Sequence, residues 1–159
     1  MATGNKITMN NGLVNSVNTV TVQLAHIVGL KNIIDLAIGS GIKGNLSANL
    51  SLSLGSSEVS LLNLTSAYAG FLNLGHRIYP KGWKDLRLKS NDEILIGSTE
   101  REKDRFLEKD ASKALIKMLV SVIEDGTGKE AFINGWHLAG KTGTSQNSRD
   151  AWFVGFSSQ

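Results

Sequence analysis

Cysteine is absent from the 159 residues, which excludes disulfide scaffolds, thiolate metal sites and a cysteine nucleophile. The redox compartment is left open. Proline occurs once, at Pro80, and aromatic residues make up only 6%. There is no run of about 18 apolar residues, and the polar stretch after Met1 contains no apolar core of signal-peptide length. Nothing in the chain is therefore expected to target or span a membrane, and any anchor is expected outside it. Charge of one sign is also lacking: 17 basic residues against 14 acidic ones leave +3, with no dense Lys/Arg block. This argues against a nucleic-acid partner. His26, His76 and His137 are scattered without metal-ligand spacing, so no metal or other cofactor is expected. What remains is a chain with 41% hydrophobic residues, of a length that favours one compact unit.

Apolar positions Val17, Val20, Leu24 and Ile27 or Val28 recur at helical spacing and predict a helix from Leu13 to Val28, stopped by Gly29. A short second helix is predicted from Leu30 to Ile38. Gly39 to Ser57 reads as a structured loop whose leucines, Leu50, Leu52 and Leu54, need burial. Ser56 or Ser57 is placed to cap a helix running to Leu74, with Leu61, Leu64, Tyr68, Phe71 and Leu72 on one face and Gly75 ending it. The mixed run from Glu100 to Arg105 reads as a solvated face. Asp110 is expected to cap another amphipathic helix, which ends at the Gly126-Thr127-Gly128 turn. His137 to Thr144 and Ala151 to Phe156 read as two strands joined by a polar turn. Two strands alone do not make a stable sheet, so other polypeptide must support them.

Lys141-Thr142-Gly143-Thr144 lies in the first of these strands. An ammonium, two hydroxyls and a glycine that bares the backbone suit a carboxylate ligand laid along a strand edge. An ordinary edge strand ending in a turn is the plainer reading. Ser16-Val17-Asn18 sets a hydroxyl and a carboxamide just before a helix. As a pattern it is weak, because Ser47-Ala48-Asn49 and Ser145-Gln146-Asn147 match it too, and helix capping accounts for such residues.

Together, in this order, Ser16-Val17-Asn18 and Lys141-Thr142-Gly143 resemble two of the three motifs of penicillin-binding proteins and serine β-lactamases. Gly55 to Val59, Gly126-Thr127-Gly128 and Arg149 to Phe156 look like the class A, bifunctional penicillin-binding proteins. The resemblance implies an α/β (α+β) transpeptidase fold, with helices packed on an antiparallel sheet. It also implies a D,D-transpeptidase that acylates a serine with a peptidoglycan stem peptide ending in D-Ala-D-Ala and is trapped there by β-lactams.

Carried over by position, Ser16 would relay a proton, Asn18 would bond the substrate amide and the lysine, and Lys141 would supply positive potential. Thr142 and Thr144 would hold the terminal carboxylate beside Gly143, and the Thr144 amide would form half of an oxyanion hole. The family's third motif, SxxK, precedes SxN by some tens of residues. Only 15 residues precede Ser16, and none of them forms it.

The literal match Ser40-Gly41-Ile42-Lys43 follows SxN and reads as a decoy. Residues 1–159 are thus expected to be a partial transpeptidase domain, incomplete at both ends and inactive alone. Its partner would be the N-terminal part of the same domain, and the parent would sit on the outer face of the bacterial cytoplasmic membrane. Two alternatives stand beside this reading. One is a non-catalytic remnant or partner-dependent half that binds wall peptide. The other is a β-lactamase-like hydrolase, for which Glu58 and Asn63 have the wrong spacing. Trp136, Trp152 and Phe153 are expected in the core or a cleft wall.

Overall fold

A computed structural model describes residues 6–97, 104–145 and 149–158. The architecture is α+β: five helices and two small antiparallel hairpins among the described residues. No single helix among them is long and apolar enough to cross a membrane.

The helix predicted from Leu13 to Val28 is in fact two, α1 (Met9–Val14) and α2 (Asn18–Val28). Between them the chain turns at Ser16, whose φ of 53° lies in the left-handed region. The Ser16 amide donates to the Leu13 carbonyl and the Val17 amide to that of Gly12, at 3.1 and 2.8 Å. A Cβ on Gly12 would sit 2.6 Å from Val20 Cγ1, so the glycine lets α2 fold back onto α1. Helical periodicity survives the break, which is why spacing alone did not reveal it.

Gly29, at φ 87°, joins α2 to α3 (Leu30–Ser40) with a bend of 97°. The loop leucines form a 3-10 turn, Leu50–Leu54, lying against α2. Leu52 is half-buried there while Leu50 and Leu54 stay exposed, so the expected burial is only partly met. Helix α4 (Leu61–Leu72) is capped by Ser60, whose Oγ accepts from the Asn63 amide, rather than by Ser56 or Ser57. Its buried stripe is Ser66, Ala67 and Gly70, whereas Leu61 and Leu72 face outward. Small residues win that face because Phe106 presses on it. A Cβ on Gly70 would meet the Phe106 ring at 2.8 Å.

After α4 the chain makes an excursion carrying the hairpin of β1 (Asp85–Arg87) and β2 (Ile94–Gly97). The ends of the excursion are stapled together. The Arg77 amide donates to the Asp104 carbonyl, and the Arg105 guanidinium donates to the Leu74 carbonyl, both at 2.8 Å. The described part of the charged run is therefore a clasp as well as a solvated face; Glu100 to Lys103 lie outside the described residues.

Helix α5 (Lys109–Glu124) supplies the centre of the core, with Leu119, Val122 and Ile123 buried. Its N-cap is Glu108, and Asp110 sits in the first turn, where a carboxylate complements the helix dipole. Against α5 packs β3 (His137–Thr144), paired antiparallel with β4 (Ala151–Ser158), Lys141 opposite Val154. The Phe153 ring lies over Gly140 and Gly155, where a Cβ would meet it at 2.6 and 2.5 Å. Trp136, Trp152 and Phe153 are nonetheless about half exposed, so they are not core residues.

Candidate active site

Two elements far apart in sequence meet at one point. The α1–α2 turn presents Ser16 to the middle of β3, and Lys141 Nζ donates to Ser16 Oγ at 3.0 Å. The same ammonium donates to the Thr142 carbonyl, also at 3.0 Å. Ser16 can turn its hydroxyl this way because the left-handed conformation ends α1 abruptly after Asn15. Lys141 is half-buried, and that burial lowers its pKa below the ordinary lysine value.

One edge of β3 pairs with β4, and among the described residues the other edge has no strand partner. Gly143 and Thr144 continue along it, both exposed, and a Cβ on Gly143 would meet no protein atom within 4 Å. The edge thus offers backbone donors and acceptors, two threonine hydroxyls and an ammonium to one ligand. That set suits an extended peptide ending in a carboxylate.

Of the candidate residues the structure brings Ser16, Lys141 and Thr142 together, with Gly143 and Thr144 following on the same strand. Asn18 opens α2 two residues from Ser16, exposed, and among the described residues its side chain makes no hydrogen bond to Lys141. Ser40 is in the wrong setting for a nucleophile. It is 3% exposed in the last turn of α3, its hydroxyl donates to the Ala37 carbonyl at 2.7 Å, and Gly41 at φ 106° ends the helix before Lys43. Serine and lysine of that match therefore do not share a helix face.

One participant escaped sequence reasoning. Thr127, read as part of a turn in a family-like segment but given no role, has its Oγ1 2.8 Å from Thr142 Oγ1, and its amide donates to the Val14 carbonyl at 3.1 Å. The two small residues flanking a hydroxyl at a helix end were the available signal.

The sequence model of the penicillin binding protein transpeptidase domain matches residues 2–159. The chain belongs to this family. Penicillin-binding protein 1A of Aquifex aeolicus is 36% identical over 151 residues, a match covering 95% of this chain and 20% of that protein. The chain thus spans about a fifth of the length of such relatives. Penicillin-binding protein 1A from Haemophilus influenzae superposes with a TM-score of 0.81 at 19% identity, covering 94% of this chain and 28% of that one. Penicillin-binding protein A from M. tuberculosis, solved as an imipenem acyl-enzyme complex, gives 0.79 at 20% identity, over 97% of this chain and 40% of that one. The fold is accordingly that of penicillin-binding transpeptidase domains, and the resemblance read from the SxN and KTG motifs holds.

Proposed function

We propose that this chain is the C-terminal part of a serine-type peptidoglycan D,D-transpeptidase, whose nucleophile is supplied by polypeptide outside these residues. The observation that carries the reading is the 3.0 Å bond between Lys141 Nζ and Ser16 Oγ, which joins positions 125 apart in the sequence. An ordinary helix cap and an ordinary edge strand have no reason to meet this way.

In the first half-reaction an upstream serine Oγ attacks the carbonyl of the penultimate D-Ala, forming an ester and breaking the peptide bond. The proton that the attacking hydroxyl loses goes to its own base, also outside these residues, and is relayed through Ser16 to the departing D-Ala amine, while Lys141 keeps the potential positive around both. Thr142 and Thr144 hold the terminal carboxylate, Asn18 bonds the substrate amide, and the Thr144 amide with that of the nucleophile stabilises the oxyanion. In the second half an amine of a neighbouring stem attacks the ester, and the serine regains its proton. A β-lactam would stop at the ester. The parent would work at the outer face of the bacterial cytoplasmic membrane.

A fluorescent penicillin tests this directly. The 159-residue chain alone should take no covalent label, because nucleophile, base and half of the oxyanion hole are missing. Joined by its upstream part, it should support labelling of a serine in that part. Stoichiometric label on Ser40 of the isolated chain, or an assembled domain that stays unlabelled, would overturn the reading.

A further inference from the structure

We propose that Thr127 is a positioning residue that ties the Ser16 turn to the Lys141 strand and aims the Thr142 hydroxyl at the substrate carboxylate. This rests on the transpeptidase reading and adds to it a residue outside its motifs.

Thr127 is held from two sides. Its own amide bonds the Val14 carbonyl, two residues before Ser16, and its Oγ1 bonds Thr142 Oγ1, one residue after Lys141. It therefore bridges the end of α1 to β3, beside the Lys141–Ser16 bond. The glycines beside it fix its path. The amides of Gly126 and Gly128 both donate to the Val122 carbonyl at the end of α5, at 3.2 and 2.9 Å. A Cβ on Gly126 would lie 2.4 Å from the Val14 oxygen, and one on Gly128 would lie 2.8 Å from Ile123 Cδ1. Bulkier residues would push the turn off both neighbours.

Proton counting then gives the role. Each hydroxyl has one proton to donate. When Thr142 donates to a bound carboxylate, its oxygen can only accept from Thr127, so Thr127 must be the donor in the loaded site. Removing that donor leaves Thr142 free to turn its proton elsewhere and loosens the contact between the α1–α2 turn and β3.

The test uses T127V, T127A and T127S in the full-length protein carrying this segment. Its readouts are the second-order acylation constant with a labelled penicillin and the kcat and KM for a D-Ala-D-Ala peptide. T127V and T127A should lose about tenfold in acylation, as expected for one hydrogen bond of about 1.4 kcal/mol, chiefly through KM. T127S, which keeps the hydroxyl, should stay within about twofold, and melting temperatures should move little. T127A, adding no bulk, reads the loss even if T127V fails to fold. The proposal is overturned if T127A acylates like wild type, or if T127S is as impaired as T127A. A wild-type protein that is not acylated at all would instead overturn the transpeptidase reading itself, and this proposal with it.

Discussion

Ser16 combines a strained backbone with a side chain bonded to Lys141, and the two can be separated by substitution. Its φ of 53° costs any residue with a Cβ about 1 kcal/mol, and its Oγ accepts from Lys141. Ser16→Ala keeps the strain and loses the bond, whereas Ser16→Gly loses both. Urea denaturation should therefore find Ser16→Gly more stable than Ser16→Ala by about 1 kcal/mol; equal values would show that the turn is not strained. Lys141 offers a second test, through pH. Burial lowers its pKa in the folded chain from 10.5, so between the lowered value and 10.5 the unfolded chain binds more protons and folding stability gains as pH rises. Wild type should gain on Lys141→Met across that alkaline window, and a constant difference in denaturation midpoint would refute it. Ser16 and Lys141 were legible in the sequence because two motifs stood in a family's order. Thr127 stood in a family-like segment, but its contact with Thr142 is encoded by no spacing.

Where elements begin, end and touch, local chemistry was readable and close packing was not. Gly29, Gly75 and the Gly126-Thr127-Gly128 turn end helices or follow their ends as expected, because positive φ and missing side chains are written in the residue type itself. The cap at Ser60 went unread because Ser56 and Ser57 offer the same hydroxyl nearby, and the outward Leu61 because the buried face is set where Phe106 settles against Gly70. Two glycines isolate the packing term. Gly55 and Gly75 share a φ of 84°, but a Cβ on Gly55 meets nothing within 4 Å while one on Gly75 would lie 1.9 Å from the Leu107 oxygen. Gly55→Ala should cost about 1 kcal/mol, the conformational penalty alone. Gly75→Ala adds a backbone collision at the staple joining α4 to α5 and should cost about 2–4 kcal/mol. If chemical denaturation gives the same loss for both, the close approach at Gly75 carries no energy.

For the molecule as a whole, surface is the telling quantity. A compact monomer of 17.1 kDa is expected to expose about 7,700 Å², yet this chain exposes 11609 Å². The excess is apolar in part: Ile27 is 77% exposed, Leu62 60% and Trp152 57%. Ile27 belongs to a groove between α1 and α2 that Ile7, Met9, Val20 and Leu24 also line. Helices and strands that evolved to bury such faces do not tolerate water on them, and unpaired strand edges invite self-association. On the proposed reading these faces meet the rest of the transpeptidase domain. The isolated chain should therefore bind the dye ANS and sediment as a concentration-dependent mixture of species. Co-expression with the upstream part should abolish dye binding and give one sharp boundary at the mass of the pair. A 159-residue chain that sediments as a monomer and ignores the dye would show that its apolar faces need no partner, and the fragment reading would lose its energetic basis.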